Sequence, residues 1–223
     1  MEYIRTADTR GTADFGWLKA KHSFSFGNYY DPAHMGFSVL RVINDDRIAA
    51  GAGFGTHPHD NMEIITYVTE GGVAHKDSMG NVEVVKAGEI QRMSAGTGIT
   101  HSEYNASDST ELKLLQIWLL PNQRDIAPSY EQQAVTQQDT VTPLITPTGD
   151  HGSLSINQDA SLSRVLLVPG QSAQLSHGVN RSGYLHIVGG ELSLTTDTAS
   201  QQGVASIKLQ QGDAVGSVVA RTL

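Results

Sequence analysis

Short apolar runs recur along the whole chain and are separated by residues that favour turns. The runs are rich in Val, Ile, Leu, Thr and Tyr, and they occupy residues 37–43, 63–68, 113–120, 164–168 and 184–188. Runs of this length, bounded by Gly, Pro, Asn and Asp, are typical of β-strands. No stretch sustains a 3.6-residue period, so we expect helices to be short and few. The pattern predicts an all-β protein of the sandwich or barrel type.

A weak internal repeat divides the chain into two halves. Residues 64–73 resemble residues 183–192, and residues 84–90 resemble residues 207–215. In each half an apolar strand ends in a glycine turn, and a second strand ends in Gly followed by an acidic residue. The repeat predicts two small β-barrels. We expect an N-terminal domain at 1–125, a crossover linker at 126–150 and a C-terminal half at 151–223.

Composition and charge exclude several classes of protein. Of the 223 residues, 39% are hydrophobic and only 17% are charged, which is too apolar for a disordered chain. No window approaches the ~18 consecutive apolar residues of a membrane span, and the first residues lack the apolar core of a signal peptide. The net charge of -8, without a Lys/Arg cluster, argues against direct binding of nucleic acid or an anionic membrane. We therefore expect a cytoplasmic globular protein that does not bind nucleic acid or membranes.

Two short motifs concentrate the residues that could bind a metal. His57-Pro58-His59 follows a glycine-rich stretch at 51–55, and His101-Ser102-Glu103 follows another at 95–98. In each triplet the outer residues are two apart, so an extended backbone directs both side chains to one face. On neighbouring strands the two pairs would place three imidazoles and one carboxylate around one ion. The alternative is that both are chance pairs on solvated strands.

The type of metal and the fourth ligand remain open on this reasoning. The chain has no cysteine, and nitrogen and carboxylate donors suit Fe, Mn, Co, Ni, Cu or Zn. Glu63 shares the parity of His59, but a strand rise of about 3.3 Å per residue places it roughly 13 Å further along. Glu103 is only about 7 Å from His101 by the same rise, so we favour Glu103 over Glu63.

These motifs also carry a family resemblance. The spacing of Gly51, His57, His59, Glu63 and Gly71 is similar to the first cupin motif. A second stretch from Gly88 to Asn105 is similar to the second cupin motif, although two extra residues precede the histidine and Ser94 stands where Pro is usual. More specifically, four segments resemble the pirin family, namely residues 22–32, 56–59, 77–81 and 93–103. The resemblance is strong from about Tyr3 to Pro121 and weak in the rest of the chain.

The resemblance implies a bicupin, built from two double-stranded β-helix (jelly-roll) barrels, with one metal in the N-terminal barrel. By motif matching the metal ligands are His57, His59, His101 and Glu103, and the expected ion is Fe(II). Bacterial pirins that resemble this chain act as quercetin 2,3-dioxygenases, which open the flavonol C-ring with O₂ and release carbon monoxide. The implied substrates are therefore a flavonol-like aromatic and O₂, and Glu103 is the candidate catalytic base for the 3-hydroxyl proton.

The family also supplies an alternative function. It includes a eukaryotic transcriptional co-regulator, so a metal- or redox-responsive protein that binds a protein partner without turnover is the second hypothesis. A third is a cupin that binds a small molecule and uses its ion only for structure.

The second half departs from the metal-binding pattern. The positions that correspond to His57 and His59 are Ser176 and Gly178, with His177 between them. The His101 equivalent would fall beyond residue 223. We therefore expect the second barrel to be degenerate, metal-free and short of one or two closing strands.

The histidines outside the two motifs are expected to be structural or solvated. Trp17, Phe24, Phe26, Tyr29 and Tyr30 are expected either to line a pocket mouth or to pack in an N-terminal flap.

Overall fold

The computed structural model describes residues 3–196 and 205–218, and nearly all regular structure in these ranges is β-strand. The strands are β1 (Tyr3–Arg5), β2 (Gly11–Asp14), β3 (Leu18–His22), β4 (Leu40–Ile48), β5 (Gly53–His59), β6 (Glu63–Glu70), β7 (Gly72–Asp77), β8 (Val82–Lys86), β9 (Glu89–Ser94), β10 (Ile99–Asn105), β11 (Leu112–Leu119), β12 (Ser129–Ala134), β13 (Val141–Thr146), β14 (Leu154–Ser155), β15 (Leu162–Val165), β16 (Ser182–His186), β17 (Glu191–Thr196), β18 (Ala205–Gln210) and β19 (Ala214–Val218).

Helical structure in the described residues is limited to two 3₁₀ turns, at Ala7–Thr9 and Asp150–Gly152. The all-β prediction is thus confirmed. Within the same residues, no helix is long and apolar enough to cross a membrane.

The chain folds into two compact units. The larger comprises residues 11–173, and the smaller comprises residues 1–10 together with 174–223. The larger unit contains a seven-stranded sheet in the order β12-β9-β6-β11-β4-β3-β2 and a four-stranded sheet in the order β5-β10-β7-β8. A three-stranded sheet of β14, β13 and β15 completes it.

Apolar side chains from the two larger sheets form a common core. Ile48, Val68 and Leu114 of the seven-stranded sheet pack in one cluster with Val73 and Val85 of the four-stranded sheet, and all five are buried. Burial of such side chains contributes roughly 1.5–3 kcal/mol each to the folded state. The core therefore fixes the two sheets against each other, with their inner faces opposed.

A row of buried polar residues crosses the inner face of the seven-stranded sheet. Strand register aligns one residue from each of five neighbouring strands, and the row consists of Gln91, Thr66, Gln116, Asn44 and His22. Residues directly opposite each other in register share a face of the sheet. His22 Nδ1 lies 2.8 Å from Asn44 Oδ1, and Gln91 Nε2 donates to Thr66 Oγ1 at 3.2 Å. This polar row faces buried polar residues of the four-stranded sheet, including His101 and Glu103.

The smaller unit has a sheet in the order β1-β19-β16 and a hairpin of β17 and β18. Ile187, Leu209 and Val215 form its buried core. Asp213 Oδ1 accepts a hydrogen bond from the Ala7 amide at 2.7 Å, which ties the 1–10 segment to the rest of the unit.

The predicted domain boundaries at 125 and 150 stay a prediction. The 126–150 segment contains β12 and β13, and β12 extends the seven-stranded sheet by pairing with β9. In the smaller unit Ser176 and Gly178 are exposed, while His177 Nε2 lies 2.8 Å from Ser217 Oγ. The sequence also predicts that the second barrel lacks one or two closing strands. This prediction depends in part on residues 219–223, which lie outside the described residues.

Candidate metal centre

The candidate site is built on three adjacent strands of the four-stranded sheet. His57 and His59 lie on β5, and His101 and Glu103 lie on the central strand β10. His101 is paired with His57 across the two strands. Because the side-chain period of a strand is two, these residues share the inner face of the sheet. The sequence prediction that the two motifs lie on neighbouring strands agrees with this register.

The three predicted histidines come together. Their ring centroids are 4.5 Å apart for His57 and His101, 4.8 Å for His57 and His59, and 4.9 Å for His59 and His101. One nitrogen from each ring lies within 4.8 Å of the other two. His57 Nδ1 lies 2.7 Å from the Gly55 carbonyl oxygen and donates to it, which leaves Nε2 for a ligand.

Glu103 lies on the other side of His101 and is buried. Its Oε1 accepts a hydrogen bond from Thr66 Oγ1 at 3.1 Å, and its Oε2 accepts one from Gln116 Nε2 at 2.6 Å. Both donors belong to the polar row on the facing sheet, so that row fixes the carboxylate. Glu103 forms a second group of ligand atoms, within 4.8 Å of one another, with His101 and His75. Two overlapping groups therefore share His101.

Glu63, the alternative fourth ligand, belongs to a different network. It is buried, and its Oε2 accepts a hydrogen bond from Ser94 Oγ at 2.9 Å. Asn157 Nδ2 donates to the other oxygen at 3.3 Å. In the described part of the chain, Glu63 belongs to neither group of ligand atoms.

His75 is the site residue that sequence reasoning missed. The sequence predicts a structural or solvated role for it; its side chain is 1% exposed, and its ring centroid lies 5.3 Å from that of His101. Strand β7 pairs with β10 so that His75 faces Glu103 and Asp77 faces His101. The spacing His75-x-Asp77 carries the same two-residue signal as the two predicted motifs. It was overlooked because only the pairing of β7 with β10 brings it to the site.

Burial controls the electrostatics of the site. Desolvation, with repulsion from His57, lowers the pKa of His59 to about 4. Desolvation, with repulsion from His57 and His59, lowers the pKa of His101 to about 3. Both imidazoles are therefore neutral at neutral pH, which is the form that binds a metal. Burial also raises the pKa of Glu103, although hydrogen bonds from Thr66 and Gln116 oppose it.

A cavity of about 380 Å³ lies beside Trp118, and its wall is partly aromatic. Its wall includes Phe26, Tyr29, Tyr30, Arg41 and Trp118. The Trp118 ring also packs edge-to-face against His59, with centroids 5.0 Å apart, so one residue of the cavity wall contacts a candidate metal ligand.

Of the five aromatic residues expected either to line a pocket mouth or to pack in an N-terminal flap, three line this cavity, namely Phe26, Tyr29 and Tyr30. The other two are elsewhere, because Phe24 is buried and Trp17 packs against the main core beside Phe54.

Strands β5 and β10 approach each other closely at Gly53, and a substitution there tests whether this spacing is needed for the site. A Cβ at Gly53 would lie 2.3 Å from the Glu103 carbonyl oxygen and 2.4 Å from Tyr104 Cα, both backbone atoms of β10. We expect Gly53→Ala to force β5 away from β10 and lower the free energy of unfolding by about 1–3 kcal/mol. It should also weaken metal binding, since His57 and His101 lie on these two strands. Denaturant unfolding and a metal-chelator competition measure the two effects.

Gly55→Ala is the matched control. A Cβ there has only the Tyr104 hydroxyl, at 3.8 Å, as a neighbour within van der Waals range. Both quantities should therefore stay close to wild type. Equal effects of the two substitutions would contradict the steric argument.

Comparisons with known proteins agree with this architecture. A family model described as Pirin matches residues 3–119, and one described as the quercetinase C-terminal cupin domain matches residues 144–221. The chain is 50% identical over 200 residues to a quercetin 2,3-dioxygenase of Escherichia coli strain K12, covering 90% of this chain and 87% of that protein. It is 41% identical over 205 residues to a pirin-like protein of Caulobacter vibrioides, covering 90% and 88%.

A solved structure is also similar. The bacterial pirin YhhW of Escherichia coli in complex with nickel(II) superposes with a TM-score of 0.88 at 46% identity, covering 97% of this chain and 89% of that one. Together with the two jelly-roll family models, these similarities confirm the predicted fold, and the chain belongs to the pirin family.

Proposed function

We propose that the site holds one divalent transition metal, with His57, His59, His101 and Glu103 as its protein ligands. The proposal rests mainly on the environment of His101. This residue is 1% exposed, and neither of its ring nitrogens has a hydrogen-bond partner among the described residues. Buried polar atoms are normally satisfied, so an orphaned imidazole between two other imidazoles and a carboxylate indicates a metal ligand. The nickel(II) bound by the similar Escherichia coli pirin supports a divalent ion.

We propose Fe(II) as the native ion, with Mn, Co, Ni, Cu and Zn as the alternatives. Three nitrogen donors and one oxygen donor leave up to two positions of an octahedral ion for other ligands. When bound, the ion supplies Lewis acidity and organises O₂ beside the substrate.

The activity that this arrangement supports best is that of a quercetin 2,3-dioxygenase, which opens the flavonol C-ring with O₂ and releases carbon monoxide. Support comes from the relative of that name at 50% identity. The cavity supports it as well, since aromatic walls suit a flat polycyclic substrate.

Glu103 is the proposed proton acceptor in this reaction. Its carboxylate is buried beside His101, next to the proposed ion, where it can accept the proton of a flavonol 3-hydroxyl. Thr66 and Gln116 hold its two oxygens, so the carboxylate is oriented before the substrate arrives. Phe26, Tyr29 and Trp118 would exclude water from the ring system.

Turnover after metal reconstitution tests the proposal. Metal-stripped protein is reloaded separately with Fe(II), Mn(II), Co(II), Ni(II) and Cu(II), and quercetin loss and carbon monoxide release are followed in air. We expect at least one ion to restore both signals. Glu103→Gln should reduce the turnover number by about 10²–10⁴-fold, the usual contribution of a general base.

Glu83→Gln, the same change at an exposed carboxylate, provides the control and should retain full turnover. Absence of turnover with every ion, despite stoichiometric loading, would reject the quercetinase proposal. It would leave the metal-responsive partner protein as the better hypothesis.

A further inference from the structure

His75 lies beside Glu103 and His101, and one of its ring nitrogens is not explained by the proposed metal ligands. Within the described ranges, His75 Nδ1 is fully buried and has no hydrogen-bond partner. Leaving such an atom unsatisfied destabilises the folded state, so each case in a native structure requires an explanation. Gln116 Oε1, on the residue that holds Glu103, is a second unsatisfied acceptor in the same region.

Asp77 determines which nitrogen of His75 carries the hydrogen. His75 Nε2 lies 3.0 Å from Asp77 Oδ2. Since an ionised carboxylate can only accept, Nε2 is the donor, and a neutral imidazole then has a lone pair on Nδ1. In a neutral ring the opposite nitrogen is thus an acceptor, and none of the described residues supplies a donor that reaches it.

The Asp77 carboxylate is itself rigidly held. Its Oδ1 accepts hydrogen bonds from the Met79 amide at 2.9 Å and the Asn81 amide at 3.1 Å. Asn81 Nδ2 donates to Oδ2 at 2.8 Å. The Tyr130 ring packs on the His75 ring, with centroids 4.8 Å apart. Both the tautomer and the orientation of His75 are therefore fixed by the turn that follows β7.

We propose that His75 accepts a hydrogen bond from an O–H group of the ligand held beside His101 and Glu103, before Glu103 takes up that hydrogen in the reaction, and that Asp77 is the positioning residue that keeps His75 in this tautomer. The inference rests on the proposed function and adds a specificity determinant to it. An aromatic ligand with a hydroxyl beside its metal-binding oxygen satisfies the Nδ1 lone pair, whereas the same skeleton with hydrogen at that position leaves it unpaired. Sites built in this way discriminate strongly against the analogue that lacks the hydroxyl.

The first test measures the tautomer directly. Protein labelled with ¹⁵N-histidine and loaded with diamagnetic Zn(II) is examined by long-range ¹H–¹⁵N NMR, and His75→Gln identifies the His75 signals. We expect hydrogen on Nε2 and an unprotonated Nδ1, whose resonance shifts on adding 3-hydroxyflavone without O₂ and stays in place with flavone. Hydrogen on Nδ1 would overturn the inference, whatever the substrate proves to be.

The second test uses affinity in the same Zn(II)-loaded protein. Asp77→Asn keeps an oxygen for the Met79 and Asn81 amides but can present an N–H to His75, which reverses the tautomer. We expect the dissociation constant of 3-hydroxyflavone to rise about tenfold, while those of flavone and Zn(II) stay unchanged. Asp139→Asn, at an exposed carboxylate, should change none of the three.

The remaining outcomes are distinguishable. An equal rise for both flavones would assign His75 a packing role and overturn the inference. Weaker Zn(II) binding would make His75 a metal ligand and overturn it as well. The proposed function is tested by a different measurement, and it would be rejected by an absence of quercetin turnover in the wild-type protein.

Discussion

Replacing His101 with Asn is expected to weaken metal binding by at least about 100-fold and to remove metal-dependent turnover. His101 is the residue shared by the two groups of ligand atoms, and its ring lies 4.5 Å from His57 and 4.9 Å from His59. Loss of a residue that merely supports a ligand typically costs 10–100-fold in affinity, so loss of the shared ligand should cost more. The dissociation constant for Ni(II) or Fe(II) is measured by competition with a chelator of known affinity.

His151→Asn is the matched control for this substitution. His151 is exposed and has φ = 58°, a backbone conformation that Asn adopts readily. Metal affinity should therefore match wild type. An affinity of His101→Asn within about threefold of the control would contradict the assignment of His101 as a ligand.

Replacing Arg92 with Met is expected to lower the free energy of unfolding by about 3–5 kcal/mol, because it leaves several acceptors around a buried guanidinium without their donor, at about 1–3 kcal/mol each. The Arg92 side chain is 2% exposed and forms an ion pair with Glu131. Its guanidinium also donates to the Ser155 carbonyl at 2.9 Å, to Ser94 Oγ at 3.0 Å and to Ser129 Oγ at 2.6 Å. Burial raises the pKa of Glu131, but hydrogen bonds from Ser155 and the Arg92 charge outweigh burial and lower it.

An exposed ion pair, Lys113–Glu70, is the control for the Arg92 substitution. Lys113 Nζ lies 2.9 Å from Glu70 Oε1 at the surface, so Lys113→Met should cost less than about 1 kcal/mol. Both tryptophans lie in the larger unit, and their fluorescence in denaturant therefore follows the unfolding of that unit. Similar losses in the two variants would show that the Arg92 network contributes no more than a surface pair.

The strands and the three histidines of the site could be predicted because their signals are local. His57-x-His59 and His101-x-Glu103 need only an extended backbone to direct both side chains one way, and turn residues delimit the runs that form β6 and β11. Such patterns depend on residues that are close together in the sequence, and the family resemblance reinforced them.

The rest of the site depends on pairing between strands that are distant in the sequence. His75 reaches the site only because β7 pairs with β10, and Thr66 and Gln116 reach Glu103 only because two sheets face each other. The Arg92 network joins β9 to residues 129–131 and 155 in the same way. Apart from His75, which is part of His75-x-Asp77, none of these residues lies in a short motif, so the sequence pattern alone assigns them to an ordinary strand.

The polar row across the seven-stranded sheet has a consequence for folding fidelity. A one-residue slip of β11 against β6 would turn Gln116 away from Glu103 and place an apolar neighbour in the row. A two-residue slip would set Leu114 or Trp118 opposite Thr66 and leave Glu103 without one of its donors. Mispaired barrels would therefore bury an unsupported carboxylate and have a poorly formed metal site. The capacity of a freshly folded sample to take up metal consequently reports the fraction of molecules whose strands have found their correct partners.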